Sequence, residues 1–211
     1  MSLPAQTSLP APPAELARSV QQRYDTIRDF SARFVHAYEG GVLRKMVTER
    51  GTLQIKKPGR MRWEYTHPEK KLFVADGSQI YSYIPADRQV YISPVPASDQ
   101  ATTAALFLTG KGNLVRDFAV AHGELAGAPP GTSVLKLSPR QTERDYDVLF
   151  LAVDPASYQI RVLSAADKQG GRSTFTFSEI KENTGLADKT FVFKIPPGTE
   201  VVRSDNTPER R

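Results

Sequence analysis

The sequence predicts an α+β protein dominated by β-structure, with one strongly curved antiparallel sheet whose concave face is covered by helices. Residues 49–92 consist of short alternating or apolar runs separated by turn residues, which is typical of an antiparallel meander. Similar runs continue to residue 195, and two stretches, 14–28 and 98–110, have helical periodicity instead. A closed barrel or an α+β sandwich would give a similar pattern, so both remain alternatives.

The domain organisation follows from length and composition. A chain of 211 residues can form one large domain or two small ones, and no linker-like stretch interrupts its middle. We therefore expect a single domain over residues 14–203. Residues 1–13 are rich in proline and predict a disordered lead-in, and residues 204–211 predict a flexible tail.

The first elements are a helix and a hairpin. Apolar side chains recur at intervals of four, four and three residues, which predicts an amphipathic helix over residues 14–28. These side chains are Leu16, Val20, Tyr24 and Ile27. Residues 30–36 then alternate and predict a strand, which turns at Gly40-Gly41 into a second strand over residues 42–55.

The central meander has one apolar and one charged face in its best-defined strand. Successive side chains of a strand point to opposite faces, so Met61, Trp63 and Tyr65 share one face. Arg60, Arg62, Glu64 and Thr66 share the other face. Asp76-Gly77 separates two apolar runs and predicts a tight hairpin turn, because glycine tolerates a positive φ.

The chain after the meander begins with a helix and returns to strands. Ser98 or Asp99 can cap this helix and Gly110 can end it. Alternating or apolar runs then predict six further strands. These runs are residues 118–121, 133–137, 146–153, 158–166, 173–182 and 190–195.

Composition restricts the classes of function. The net charge of +5 permits attraction to anionic partners without selecting one, and no run of about 18 apolar residues predicts a membrane span. The chain has no cysteine, which excludes disulfides, thiolate catalysis and zinc-thiolate sites. It also lacks the N-terminal cysteine that a bacterial lipoprotein needs for its anchor, so we expect that the chain is not itself lipidated.

No catalytic, metal or cofactor site is predicted. His36, His67 and His122 are dispersed without metal-ligand spacing, and neither a nucleophile elbow nor a phosphate loop is present. Basic residues cluster near Trp63, but strand alternation turns Arg62 away from it. We therefore do not predict nucleic acid as a partner.

A series of short motifs in the meander identifies a family resemblance. The motifs are Gly51-Thr52-Leu53, Lys56-Lys57-Pro58, Met61-Arg62-Trp63, Val74-Ala75-Asp76-Gly77 and Gln89-Val90. Together they resemble the periplasmic lipoprotein carrier family, LolA, and the resemblance extends from about the first helix to the last strand. It implies an incomplete antiparallel β-barrel with a helical lid over an apolar cavity.

The resemblance also implies a function. LolA-like proteins are monomeric carriers without enzymatic activity or cofactors, which take lipoproteins from an inner-membrane ABC transporter, shield their acyl chains and deliver them to an outer-membrane acceptor. We therefore expect a periplasmic protein whose signal peptide has been removed. A LolB-like outer-membrane acceptor, a periplasmic sensor of lipid or lipoprotein, and an enzyme built on the same fold remain alternatives.

The expected binding site consists of the inward apolar side chains of the sheet and of the lid. They are Leu53, Ile55, Met61, Trp63, Tyr65, Val74 and Tyr83 from the sheet, and Leu106, Phe107 and Leu108 from the lid. In the family, an arginine before the turn proline latches the lid by donating to its backbone carbonyls. Lys57, before Pro58, occupies this position, and lysine offers a mobile charge instead of a planar fork. We therefore expect a lid that opens more easily.

Overall fold

The computed structural model describes residues 11–40, 46–95, 112–143 and 146–204. Twelve strands lie within these ranges and form one sheet. In chain order, β1 to β12 are Asp29–Glu39, Met46–Lys56, Arg60–His67, Lys71–Asp76, Gln79–Ile84, Gln89–Pro94, Phe118–His122, Ser133–Pro139, Val148–Val153, Ile160–Ala166, Arg172–Glu182 and Glu200–Arg203.

The sheet is antiparallel except at one edge. Its order is β12-β6-β5-β4-β3-β2-β1-β11-β10-β9-β8-β7, and only the β12–β6 pair is parallel. Because β12 and β7 lie at opposite edges and do not pair, the sheet is open. The prediction of a curved, incomplete antiparallel barrel is therefore confirmed.

Two α-helices within the described ranges lie beside the sheet. Helix α1, Pro13–Thr26, buries an apolar stripe against the main hydrophobic core. Its buried residues are Leu16, Ala17, Val20 and Tyr24. The short helix α2, Leu114–Asp117, is capped by the Asn113 side chain, which accepts from two backbone amides. The α2 backbone is tied to α1, because the Leu114 amide donates to Gln21 Oε1 at 2.8 Å.

The strands of the meander agree with the sequence prediction, whereas the C-terminal end differs. The prediction of a strand over residues 190–195 is wrong, because Asp188–Phe191 form a 3₁₀ helix and the next strand, β12, begins only at Glu200. The predicted helix over residues 98–110 lies outside the described residues. No helix within the described ranges is long and apolar enough to cross a lipid bilayer.

The sheet carries apolar residues on both faces, and we call the face with Trp63 the inner face and the opposite one the outer face. Trp63 pairs with Phe73 across β3 and β4, whereas Arg62 pairs with Val74. Paired residues share a face. Val74 therefore lies on the outer face, and so does Tyr83, because it pairs with Leu72.

The placement of Val74 and Tyr83 corrects the prediction that both point inward with Trp63. The central residues of β4, Leu72-Phe73-Val74-Ala75, are all apolar, so alternation among them cannot show which face is inner. The C-terminal segment covers the outer face here. Phe193 packs its ring 5.4 Å from Tyr81 and 5.6 Å from Tyr83, and Phe191 is 1% exposed.

A buried carboxylate joins β1 to the turn after β11. Asp29 Oδ1 accepts from the Thr184 amide at 2.8 Å and the Gly185 amide at 3.1 Å. Burial alone would raise the pKa of this carboxyl, but the hydrogen bonds donated by Thr184, Gly185 and Leu186 hold it below its ordinary value. The junction fixes the start of β1, directly after α1.

Replacing Asp29 with asparagine is expected to destabilise the fold by about 1–3 kcal/mol at pH 7, because buried amides then face a weaker acceptor. The folded pKa lies below the ordinary 3.8. The carboxylate's contribution is therefore complete above that value and is lost as the pH falls through the folded pKa. Urea unfolding at pH 7 and at pH 3 should show a difference between wild type and Asp29→Asn that shrinks in acid. A difference independent of pH would contradict this role.

Candidate functional site: the inner apolar surface

Neighbouring strands place a continuous set of apolar side chains on the inner face. We call this set the inner apolar surface. It comprises Phe34 on β1, Leu53 and Ile55 on β2, Met61, Trp63 and Tyr65 on β3, Phe73 on β4 and Phe175 on β11. The structure thus brings together five of the residues predicted to line the cavity, Leu53, Ile55, Met61, Trp63 and Tyr65, and all are at most 8% exposed.

Aromatic rings form the centre of this surface. The Phe34 ring lies 5.1 Å from Trp63 and 4.9 Å from Tyr65, and Trp63 lies 5.0 Å from Phe175. Tyr65 in turn contacts Phe73 at 5.8 Å. These tilted and edge-to-face geometries are the favoured ones for aromatic pairs. Burial and, to a smaller extent, the charge of Glu49 raise the pKa of the Tyr65 hydroxyl above its ordinary value, at which it is already protonated at neutral pH.

Three aromatic members of this surface were missed from the sequence. Phe34, Phe73 and Phe175 lie on strands whose inner face could be assigned only from the pairing register. The signal for Phe34 was its neighbour on β2, because Phe34 pairs with Gly51 and fills the space that a side chain there would take. A glycine within a strand marks such a close approach.

Helix α1 covers part of the inner face. Its buried side chains belong to the same hydrophobic core as Leu53 and Trp63, and the Tyr24 ring lies 6.3 Å from Phe30 of β1. Polar contacts anchor the helix end to the sheet. Arg23 Nη2 donates to Glu182 Oε2 of β11 at 2.5 Å, and Gln159 donates to the same carboxylate at 3.1 Å.

Lys57, the predicted latch, makes its contact with α1. Its ammonium donates to the Tyr24 carbonyl and lies 5.1 Å from the centroid of the Tyr24 ring. Burial lowers the pKa of Lys57, opposed by the nearby charge of Asp25. Pro58 follows through a cis peptide bond. A lysine at a helix C-terminus also complements the helix dipole.

The lid part of the predicted site consists of three residues. Leu106, Phe107 and Leu108 lie outside the described residues, so the predicted contact between Lys57 and the carbonyls of that helix stays a prediction. Within the ranges that the structure describes, no three His, Asp or Glu side chains are arranged to hold a metal ion.

Comparison with known proteins decides the family. The family model of the outer membrane lipoprotein carrier protein LolA matches residues 25–194. The chain belongs to the LolA family. This is a family of carriers and not of enzymes, which agrees with the prediction that the chain is not an enzyme.

Relatives and a solved structure extend the comparison. The chain is 29% identical over 189 residues to the outer-membrane lipoprotein carrier protein of Dechloromonas aromatica, with 88% of each chain covered. It is 28% identical over 173 residues to the protein of the same name from Pseudomonas aeruginosa, with 82% of this chain and 80% of that one covered. A crystal structure of an uncharacterized conserved protein from Thermus thermophilus shares the fold, with a TM-score of 0.56 at 15% identity over 89% of this chain and 99% of that chain.

Proposed function

We propose that this LolA-family protein binds the acyl chains of lipoproteins on its inner apolar surface and carries them through the periplasm. The observation that carries the proposal is the continuity of that surface across β4, β3, β2, β1 and β11. The lipoprotein carrier names of the relatives support it.

The energetics of acyl chains make such a surface necessary. Transfer of each methylene from water to an apolar environment lowers the free energy by about 0.8 kcal/mol. A long acyl chain therefore stays dissolved in the periplasm only when a protein covers most of its length. Side chains such as Phe34 and Phe175 offer broad apolar area without polar groups that lose hydration. The inner face therefore suits chain binding without covalent chemistry.

Cargo reaches this surface by replacing the helix that covers it. Helix α1 buries Leu16, Val20 and Tyr24 in the same core, and an acyl chain can supply equivalent apolar contacts. The two polar anchors, Lys57 to Tyr24 and Arg23 to Glu182, then determine how readily the helix moves. Binding and opening are coupled because the cargo contacts the inner apolar surface only when the helix has moved away, so cargo binding stabilises the open state.

The transfer route follows from the same proposal. The protein would receive lipoproteins from an inner-membrane ABC transporter and deliver them to an outer-membrane acceptor. The proposed carrier works as a periplasmic monomer. It has to release its cargo without hydrolysing a nucleotide or any other fuel. A surface that binds by apolar contact alone meets this need, because a more apolar acceptor can compete for the same chains.

Loss of the Lys57 anchor is expected to loosen α1. In Lys57→Met, the Tyr24 carbonyl loses its charged donor, so amide hydrogen exchange over residues 13–28 should accelerate about tenfold. Lys57→Arg keeps a donor and a charge, and should stay within about threefold of wild type. Exchange measured by mass spectrometry checks both values. Equal protection in wild type and Lys57→Met would remove Lys57 as a latch on this helix.

A release assay tests the carrier proposal. Purified protein is incubated with spheroplasts that hold a tagged, newly made lipoprotein, and the soluble fraction is examined for a one-to-one complex. We expect release by wild type and by Arg62→Glu, whose substitution lies on the outer face beside Met61.

The test variant is Met61→Glu, which places the same charge on the inner face. A charge on the inner apolar surface should abolish release. Thermal unfolding establishes that both variants are folded at the assay temperature. Release by Met61→Glu at the wild-type level, or no release by wild type, would overturn the proposal.

A further inference from the structure

A row of polar side chains crosses the inner face where the inner apolar surface ends. It consists of Lys71 on β4, Glu49 on β2, His36 on β1 and Ser173 on β11. Residues two apart on a strand share a face. Three of the four residues therefore lie on the same face as a phenylalanine of the surface, in the pairs Lys71 and Phe73, His36 and Phe34, and Ser173 and Phe175.

Hydrogen bonds connect the whole row. Lys71 Nζ donates to Glu49 Oε1 at 2.6 Å, Glu49 Oε2 lies 3.2 Å from His36 Nδ1, and His36 Nε2 lies 2.8 Å from Ser173 Oγ. The His36 ring stacks on Phe175 at 4.1 Å with a 5° angle between the planes. The side chains of His36, Glu49 and Lys71 are 15%, 12% and 28% exposed, so the row is largely desolvated.

The charges of the row cancel. A carboxylate only accepts, so His36 Nδ1 carries the proton donated to Glu49, and Nε2 accepts from the Ser173 hydroxyl in the neutral ring. Burial lowers the pKa of His36 against the opposing influence of Glu49, in agreement with a neutral ring. Glu49 then balances Lys71, and the ammonium keeps N–H groups beyond the one given to Glu49.

A desolvated, neutral row with spare donors and acceptors suits a polar but uncharged ligand. Ester and amide carbonyls accept from the Lys71 ammonium, and amide N–H groups donate to the remaining lone pairs of Glu49. A free anion fits less well, because Glu49 already neutralises Lys71. A second buried donor lies in the adjoining aromatic cluster, because Trp63 Nε1 has no hydrogen-bond partner among the described residues.

We infer that the row formed by Lys71, Glu49, His36 and Ser173 binds the ester and amide groups that join the acyl chains of a lipoprotein to its peptide. This inference rests on the proposed function. The row then orients the cargo, with chains on the inner apolar surface and the polar junction at its edge. The selected substrate class is an acylated peptide, in preference to a free fatty acid or an unsubstituted hydrocarbon.

Three ligands separate these classes. They are a synthetic diacylglyceryl-cysteinyl peptide, palmitate, and an apolar naphthylamine dye that carries no ester. Binding of each is measured to wild type, Lys71→Met, Glu49→Gln and Lys70→Met. Lys70 is the matched control, because it is exposed and adjacent in sequence. Thermal unfolding and dye binding report whether each variant keeps its fold and its inner apolar surface.

The lipopeptide is expected to bind Lys71→Met about tenfold more weakly than wild type, because a charge-assisted hydrogen bond is lost. The dye should bind all four proteins equally, and Lys70→Met should match wild type throughout. Glu49→Gln leaves the Lys71 charge unbalanced and should strengthen palmitate binding several-fold.

One set of results would overturn this inference, and a different result would overturn the proposed carrier function on which it rests. Equal lipopeptide affinity in wild type and Lys71→Met, or a parallel loss of dye and lipopeptide binding, would show that the row has no role in recognising the polar junction. Loss of palmitate binding alone in Lys71→Met would assign the row to free fatty acids. Failure of wild type to bind any of the three ligands would overturn the proposed function itself.

Discussion

Gly51→Ala is expected to lower the free energy of unfolding by about 3 kcal/mol or more, because the added methyl group has no space. A Cβ at this position would lie 2.0 Å from the Glu64 carbonyl oxygen and 2.7 Å from Phe34 Cζ. The first of these atoms is backbone, so relief requires β2 and β3 to move apart. The second belongs to the inner apolar surface, so acyl binding should fall together with stability.

The neighbouring residue supplies the control for Gly51. Thr52 is exposed on β2, and Thr52→Ala should change stability by no more than about 1 kcal/mol. Guanidinium unfolding followed by circular dichroism measures both variants. If Gly51→Ala were as stable as Thr52→Ala, the close approach of Phe34 to the backbone of β2 would be wrong.

Phe191→Ala is expected to cost about 3–5 kcal/mol, the usual range for truncating a fully buried phenylalanine. Phe191 is 1% exposed and lies in the 3₁₀ helix that contacts β3 and β4. The Asp188 carboxylate anchors this helix, with Lys56 Nζ at 2.5 Å and Arg60 Nη1 at 2.9 Å. This 3₁₀ helix thus stabilises the outer face instead of pairing as a strand, and the chain joins the sheet edge only later, as β12.

The Phe191 variant separates the two faces of the sheet. At temperatures where Phe191→Ala remains folded, its affinity for an acyl probe should equal that of wild type, because the substitution lies away from the inner apolar surface. Val192 is 56% exposed, and Val192→Ala should change stability by no more than about 0.5 kcal/mol. An acyl affinity that fell in Phe191→Ala would contradict the division into two faces.

The meander could be predicted from sequence because its signals are local. Turn residues such as Asp76-Gly77 mark the strand ends, and Asp76 Oδ1 accepts from the Ser78 and Gln79 amides at 2.8 Å as such a turn requires. Alternation in Arg60–Tyr65 separates a charged face from an apolar one. Met61, Trp63 and Tyr65 follow from this pattern, whereas the family resemblance added Leu53 and Ile55, which pair with Trp63 and Met61 across β2 and β3.

The remaining features depend on long-range pairing, which alternation does not encode. Val74 was assigned to the wrong face because residues 72–75 of β4 are all apolar, and only the register with β3 shows which side is inner. Tyr83 on β5 was misassigned for a similar reason, because β5 has large apolar or aromatic side chains on both faces and its register with β4 decides between them. Residues 190–195 alternate like a strand, but Phe191 and Phe193 pack on the outer face without pairing. The His36–Glu49 contact joins paired strands, and Ser173 lies 137 residues further along the chain from His36.

The central claim is that acyl chains bind against the inner apolar surface, and Trp63 reports on it directly because it is the chain's one tryptophan. We would titrate the protein with a lipopeptide whose acyl chains carry bromine, a contact quencher, and follow tryptophan fluorescence beside an unbrominated lipopeptide. Saturable quenching by the brominated ligand alone, at one ligand per protein, is the result that the account predicts. Formation of the same complex without quenching would place the acyl chains elsewhere and contradict it.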